Sequence, residues 1–538
     1  MIFVPNKDLP FLKPLTIASR KSDLARLQAY KVGAALLNAY PSLQIKYHFR
    51  DSLGDINLKD PLWKMPEKGV FTEDFYQDLA LHKVDMVVHS WKDLPIEDKE
   101  KTFISATLDR EDPRDVLLFK RTSHGKKKIT IFTSSPRRIY NLESFFSWSL
   151  PWKVEPLHFL PVRGNVQTRV RKLMESSDPE IDGLIVAKAA LDRLISTEEK
   201  EFQETRNYLK QCLAELLFQV IPLSQNPTAA AQGALAIEIA KDRPEVHELL
   251  QKINNQRAYH NTSLERNILK KYGGGCHQKI GISILNKQNE QVLFLKGLTD
   301  TGHVLNETTL MPSEKLTQKS TGLSGNLTSA FNGKLNGKFL APHAQSEKKI
   351  QPLSYDLDSF YKDFSDKNKT RFIFITKDEN IQGLRDTDIL WTSGVSTWKK
   401  LAKSGHWVCG SFDSLGEEQP PEISYLSSSY FDQNLDQKIK WIKITHAQGK
   451  ESSWATKCPA YAISYQDKDL HYDPSVEFYY WSHGELFKKY YQMYPEIKNK
   501  FHSCGLGSTL DTLRNFLPKD HIIPCFNYED WLSKKENQ

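Results

Sequence analysis

The hydrophobic and polar positions of the chain switch between two periods. Leu15-Thr16-Ile17-Ala18-Ser19 is a short apolar run of strand type. After Arg20-Lys21-Ser22-Asp23 the period lengthens. Ala25, Ala29, Val32 and Leu36 fall on one helical face, with Ser22 or Asp23 available as its cap. Ile45, Tyr47 and Phe49 alternate with Lys46 and His48, which predicts a strand. A helix over Phe71–Lys83 leads into the apolar run Val84-Asp85-Met86-Val87-Val88, which ends in His89-Ser90-Trp91-Lys92-Asp93-Leu94-Pro95.

The rhythm then repeats. Ile129–Phe132 runs into Thr133-Ser134-Ser135-Pro136-Arg137-Arg138 and a helix. The region around Leu160 runs into Arg163-Gly164-Asn165 and a helix bearing Arg169, and Leu184–Val186 into a helix bearing Arg193. Pro227–Ala234 reads as a return crossover, and Pro244 to about Lys271 as helical. From Met311 to about Lys369 the apolar period fades and Ser, Lys, Gly, Asn and Thr dominate, which predicts a linker. Strands resume at Arg371–Thr376, Asp388–Trp391, Trp441–Thr445, Ala460–Tyr465, Glu477–Trp481 and Phe501–Cys504. Helices at about Ser396–Lys403, Glu485–Tyr494 and Ser508–Phe516 alternate with them, so both halves read as α/β.

Length and charge narrow the class. At roughly 100–200 residues per domain, the 538 residues predict several domains. A hydrophobic content of 39% with 26% charged residues fits a globular chain rather than a disordered one. Met1–Pro14 holds no apolar run of signal-peptide length and no segment reaches membrane-spanning length, so a cytoplasmic protein without a membrane partner is expected. The six cysteines form no CxxC pair, which argues against a disulfide framework or structural zinc, and no metal is expected. A net charge of +7 comes with no basic block or recognition motif, so nucleic acid is not an expected partner.

Candidate chemistry gathers at strand ends. Asp93 shares one turn with Ser90 and Lys92 beyond a buried-type strand, where α/β enzymes present their reactive groups. Arginine recurs at three strand-to-helix junctions, a pattern suited to several carboxylates or phosphates because guanidinium forks onto them. Arg20 and Ser22 at a helix start make a further anion site. The composition of Asp51–Gly69, with Lys59, Lys64 and Lys68, suggests a mobile basic loop. In Gly273-Gly274-Gly275-Cys276 the cysteine is either a buried filler or a thiol offered to a ligand.

Together, Ile17–Ser22, His89–Pro95, Arg110-Glu111-Asp112-Pro113-Arg114-Asp115, Thr133–Arg138, Arg163-Gly164-Asn165-Val166 with Arg169, and Gly274-Gly275-Cys276 resemble the porphobilinogen deaminase (hydroxymethylbilane synthase) family over about residues 13 to 310. The resemblance implies two doubly wound, periplasmic-binding-protein-like lobes (13–109 with 233–243, and 110–232). It also implies a small α+β domain at 244–311 that bears the cofactor. The implied activity is a transferase joining four porphobilinogen molecules head to tail with loss of ammonia. By carry-over, Cys276 holds a dipyrromethane cofactor through a thioether and Asp93 is the catalytic carboxylate. Lys92, Ser90, Thr133, Ser135, Arg137 and Arg138 would bind the cofactor. Arg20, Ser22, Arg163, Arg169, Arg193, Lys64 and Lys68 would bind substrate, the last two on a lid. The chain is expected to act as a monomer. Where the family has Val-Gly-Gln-Gly-Ala, this chain has Ala230-Ala231-Gln232-Gly233-Ala234, and the lost glycine is expected to stiffen the hinge.

Beyond a 312–369 linker, residues 370–538 resemble uroporphyrinogen-III synthase, on Ile463-Ser464-Tyr465-Gln466, Tyr480-Trp481-Ser482-His483-Gly484 and Gly507-Ser508-Thr509. That implies an α/β module closing the linear tetrapyrrole with inversion of its last ring, with Tyr465, Ser482 and Thr509 orienting the substrate. Two alternatives stand beside this bifunctional reading: a deaminase with an inactive C-terminal module, and a non-catalytic module binding an anionic ligand.

Overall fold

The computed structural model describes residues 13–51, 72–177, 180–273, 278–287, 290–312, 338–342, 348–361, 370–427, 439–465, 471–528 and 530–532. Lys64, Lys68 and Cys276 lie outside them. The chain is mixed α/β. No described helix is long and apolar enough to cross a membrane.

The first sheet has the order β2-β1-β3-β10-β4, from β1 (Leu15–Arg20), β2 (Ile45–Arg50), β3 (Met86–Ser90), β4 (Thr102–Ala106) and β10 (Leu235–Ala240). β1 pairs in parallel with β2 and β3, and β10 runs antiparallel to β3 and β4. The inner strands β3 and β10 are buried along nearly their whole length, as strands covered on both faces must be. Helix Asp23–Ala39 covers one face through Leu27, Ala29, Val32 and Leu36. Ser22 occupies its N-cap position but makes no capping bond. Asp23 instead accepts from Arg26, Gln167 and Thr205, the last two reaching across from the second lobe.

The second sheet has the order β7-β6-β8-β5-β9, from β5 (Asp115–Lys120), β6 (Ile129–Phe132), β7 (Leu157–Leu160), β8 (Gly183–Ala187) and β9 (Leu216–Val220). Here β5 is the antiparallel insert, as β10 is in the first sheet. Two segments therefore cross between the lobes, Thr107–Arg114 outward and Ile221–Ala234 back.

The long helix expected from Pro244 is two helices, Pro244–Gln251 and Gln256–Lys270. The break has a chemical cause: Asn254 accepts from Thr107 N, and Asn255 caps the second helix by accepting from Ala258 N at 2.8 Å. The first helix packs on the first lobe through Val246, Leu249 and Leu250. The second packs on an antiparallel sheet of β11 (Gly281–Lys287), β12 (Glu290–Leu298) and β13 (Val304–Pro312).

The 312–369 segment, part of which was expected to be linker, holds two strands, β14 (Lys338–Leu340) and β15 (Lys348–Pro352), each paired with a strand far along the chain. The C-terminal region is thereby two sheets. One has the order β15-β20-β19-β16-β17-β18, from β16 (Phe372–Ile375), β17 (Ile389–Thr392), β18 (Val408–Ser411), β19 (Trp441–His446) and β20 (Ala455–Tyr465). The other has the order β14-β21-β22, with β21 (Val476–Trp481) and β22 (Phe501–Cys504). Trp391, Trp398, Trp441 and Trp481 are fully buried in these cores.

Beneath the Asp93 turn, β3 and β10 are locked by charge. Glu238 on β10 is 1% exposed, accepts from Lys99 at 2.9 Å and Thr102 at 2.5 Å, and lies 3.0 Å from His89. Burial alone would raise its pKa, but His89 and Lys99 outweigh burial and hold it at about 2, against 4.5 ordinarily. A depressed carboxylate adds stability above its unfolded pKa and loses it as pH falls through the folded one. Glu238→Gln is therefore expected to cost about 3–5 kcal/mol at neutral pH. In urea unfolding at a series of pH values, its deficit against the native protein should shrink steadily between the unfolded and folded pKa values. A deficit independent of pH would exclude this charge lock.

Candidate active site

The Asp93 turn is a short 3-10 segment, Trp91–Asp93, following β3 directly. Trp91 is buried under it against Tyr259, with ring centroids 5.3 Å apart. Arg266 of helix Gln256–Lys270 donates to the carbonyls of Trp91, Leu94 and Pro95 and clamps the turn from behind. The buried tryptophan and the clamp leave Asp93 exposed at the carboxyl end of the strand, beside a pocket lined by Arg20, Gln28, Thr72, His89, Ser90 and Asp93. Ser90 exchanges hydrogen bonds with Gln28 at 3.0–3.2 Å. Arg20 and Ser90 are thus brought to Asp93, while Ser22 lies at the adjacent helix start.

Lys92 turns the other way. Its ammonium donates to Gln232 Oε1 at 3.1 Å. Gln232 Nε2 donates in turn to Asp115 Oδ1 at 2.9 Å and to the carbonyl of Pro113 at 2.6 Å. Asp115 is fully buried at the start of β5. It also accepts from Arg137 at 2.8 Å, from Arg138 at 2.6 and 3.1 Å, and from Asn226 at 2.9 Å. Burial would raise the Asp115 pKa, but Arg138 and Arg137 outweigh burial and hold the carboxyl well below the usual range. Burial pushes the Lys92 pKa down; Asp93 and Asp115 oppose this, and Arg138 and Arg137 reinforce it.

Arg137 and Arg138 were expected to face a cofactor, yet both are buried and occupied by protein groups. Arg137 also reaches Asn226 and the carbonyl of Pro227, and Arg138 the carbonyl of Ile185. Their helix begins at Pro136, with Ser135 as N-cap and Thr133 accepting from Ser135 N. Arg193 is likewise buried. It donates to the carbonyl of Gly233 at 2.6 Å and lies 3.8 Å from Glu111, so it pins the return crossover. Arg169 donates to the carbonyl of Gly164 at 2.7 Å. Burial, Arg138 and Arg163 lower its pKa to about 10, with Asp93 opposing, which sets Arg169 within electrostatic reach of Asp93. Asp93 of the first lobe thus has Lys92 beside it in sequence and Arg169 of the second lobe within electrostatic reach, and Lys92 leads on to the Arg137–Arg138–Asp115 cluster.

The residues sequence reasoning missed are the linkers: Asp115, Gln232 and Glu265. Glu265 is fully buried, pairs with Arg110 at 2.7 and 3.0 Å, and accepts from Ala231 N and Ile284 N, joining both crossovers to the third domain. Two of these three lie in motifs already singled out, Asp115 in the charged turn and Gln232 in the return crossover. Their pairing could not be read because the partners lie 117 residues apart.

The fold and site define an α/β protein of two linked lobes, with an exposed carboxylate at a strand end of the first and a cation of the second within its electrostatic reach. The family model described as "Porphobilinogen deaminase, dipyromethane cofactor binding domain" matches residues 15–248. Porphobilinogen deaminase of Syntrophomonas wolfei is 33% identical over 290 residues, 53% of this chain and 85% of that protein. That of Synechococcus elongatus is 33% identical over 277 residues (50% and 78%), and that of Clostridium novyi 32% over 297 residues (54% and 90%). The chain belongs to the porphobilinogen deaminase family, a family of transferases of porphyrin biosynthesis, and residues 15–248 form its dipyrromethane cofactor-binding domain. The residues present suit such a group. Lys92 and Arg169 donate to neutral oxygens, Gln232 Oε1 and the Gly164 carbonyl, which leaves their positive charge to serve the carboxylates of a dipyrromethane.

The hinge provides a test. Ala231 sits at φ +65°, a left-handed conformation that costs a β-carbon residue about 1–2 kcal/mol. Gly233 sits at φ +88°, and a β-carbon there would lie 2.5 Å from the carbonyl oxygen of Glu111. Ala231→Gly should be neutral or stabilising by up to about 1 kcal/mol. Gly233→Ala should destabilise by more than about 1 kcal/mol and displace Gln232. Thermal unfolding of the two variants checks the opposite signs; equal losses would contradict the hinge geometry.

Proposed function

We propose that residues 13 to 310 form a hydroxymethylbilane synthase, joining four porphobilinogen molecules head to tail with release of ammonia. The observation that carries this is the exposed Asp93 carboxylate of the first lobe, with Lys92 next to it and Arg169 of the second lobe within electrostatic reach. Loss of ammonia from an aminomethylpyrrole leaves a cationic azafulvene. Asp93 stabilises that cation and afterwards accepts the proton expelled from the joined pyrrole ring. A dipyrromethane held through Cys276 would supply the pyrrole carbon to which the first unit is joined. Arg169, Arg163, Arg20 and Lys92 hold the acetate and propionate groups of cofactor and growing product. Ser90, Ser22, Thr133 and Ser135 lie at strand and helix ends and would add hydrogen bonds to the ligand, and Lys64 and Lys68 would add positive charge. Arg137, Arg138 and Arg193 act through the frame rather than on the ligand. The reading has the chain working alone as a monomer in the cytoplasm, without nucleic acid.

The C-terminal module is read as a uroporphyrinogen-III synthase that closes the linear product with inversion of its last ring. In its support, the carboxyl ends of β16, β17 and β19 in one sheet face those of β21 and β22 in the other. The two are bridged by Lys377–His483 at 2.7 Å and Lys450–Asp511 at 2.9 Å. A crevice at strand carboxyl ends is where α/β sheets bind ligands. Ser482 and Thr509 lie on that side, and Tyr465 ends β20.

Two measurements check this function. Asp93→Asn should slow porphobilinogen consumption by about 10²–10⁴-fold while intact mass still reports the pyrrole adduct; an unchanged rate would remove Asp93 from the chemistry. The full chain incubated with porphobilinogen alone, followed by oxidation, should yield mostly uroporphyrin isomer III. Mostly isomer I would mean a deaminase with an inactive C-terminal module. No porphyrin, with no adduct lost on Cys276→Ser, would leave only binding of an anionic ligand.

A further inference from the structure

Three side chains at the crevice between the two C-terminal sheets form one hydrogen-bonded line. Lys377, two residues past β16, brings its ammonium to 2.7 Å from His483 Nε2. His483 Nδ1 lies 2.8 Å from Ser482 Oγ, just past β21. All three are half-buried. The donor inventory fixes the direction. An ammonium only donates, so Nε2 accepts, Nδ1 carries the hydrogen, and Ser482 Oγ accepts from it. The hydroxyl hydrogen of Ser482 is then free to be offered to a ligand. The line joins both sheets, so it is complete only while the crevice holds its present width.

Further charged pairs flank this line. Lys450 faces Asp511 across it, and Lys400 pairs with Asp378 behind Lys377. His446, at the end of β19, is pushed toward its neutral form by burial and by the charges of Lys377, Lys457 and Lys443, with Gln448 opposing. Lys443 is itself tied to Glu417.

We propose that Lys377, His483 and Ser482 form the proton relay that expels the terminal hydroxyl of the linear tetrapyrrole; this rests on the reading of the C-terminal module as a ring-closing synthase. The C–O bond of the hydroxymethyl group breaks with its electron pair going to oxygen. That oxygen takes the Ser482 hydroxyl proton and leaves as water. Ser482 takes the proton of His483 Nδ1, and His483 Nε2 takes one from Lys377, which is left neutral. The pyrrole is left as an azafulvene cation, open to attack by the ring that closes the macrocycle. The proton lost at that closing carbon returns the account to balance through solvent and Lys377.

The test uses the full chain with porphobilinogen and reads porphobilinogen consumption and isomer ratio together. Lys377→Met, His483→Gln and Ser482→Ala should each keep the consumption rate, which reports an intact deaminase, but lose isomer III in favour of isomer I. Lys377→Arg keeps the charge and donors but holds its proton too tightly to relay it, so it should lose isomer III as Lys377→Met does. Restoration by Lys377→Arg would mean that only a positive charge is needed and would overturn the relay. So would isomer III persisting in Lys377→Met and His483→Gln, with the synthase reading left intact. Isomer I from the unaltered chain would overturn both. Circular dichroism and thermal unfolding matching the parent exclude collapse of the module as the cause of a loss.

Discussion

The Asp115 carboxylate is the constraint on which the deaminase half depends. It is fully buried at the first position of β5, where the chain enters the second lobe. Arg137 and Arg138 from one helix start, Asn226 from the return crossover and Gln232 from its end all donate to it. A buried ion pair is weak evidence of net stability, since desolvation offsets much of the Coulomb gain. Its value here is geometric. Removing the carboxylate would strand two buried guanidiniums, so the segments they belong to are fixed in register with one another. Gln232 carries that register to Lys92, and Lys92 is covalently next to Asp93. The Asp93 turn in the first lobe is thus tied to a charge cluster in the second.

A second constraint comes from the C-terminal region, which is packed on the deaminase rather than tethered to it. Trp407 stacks near Trp152, with centroids 6.2 Å apart, and donates to the carbonyl of Phe218. Trp398 packs on Phe145 and donates to the carbonyl of Ser149. Arg114, one residue before Asp115, lies over Trp391 at 5.5 Å and donates to the carbonyl of Ser411. Asp413 accepts from Ser224 N at 2.8 Å on the return crossover. Both crossovers between the lobes therefore touch the C-terminal six-stranded sheet, and buried aromatic contacts of this kind each add about 0.5–1.5 kcal/mol beyond burial.

Much of this was legible in sequence because strand and helix periods differ and most junctions are punctuated. Asp93 at a strand end followed directly from the apolar run Val84–Val88 and the closing Pro95. Strand β9 was not legible, because helix Gln203–Glu215 passes into Leu216 with no Gly, Pro or polar break. β14 and β15 are short and lie in a stretch of polar composition, so only their distant partners define them. The arginines were recognised as a set, but sequence could not separate those that face the cleft from those that hold Asp115. That distinction depends on which guanidiniums fold back onto Asp115 at the start of another strand, a tertiary contact with no local signal.

The most direct measurement of the central claim is a double-mutant cycle on porphobilinogen consumption with Lys92→Met and Gln232→Leu. If the second lobe positions the reactive turn through this contact, the two losses should fall short of adding, with a coupling of about 0.5–3 kcal/mol. Losses that add to within about 0.5 kcal/mol would show the two residues to be independent, and would contradict the account of Asp115 as the anchor of the site.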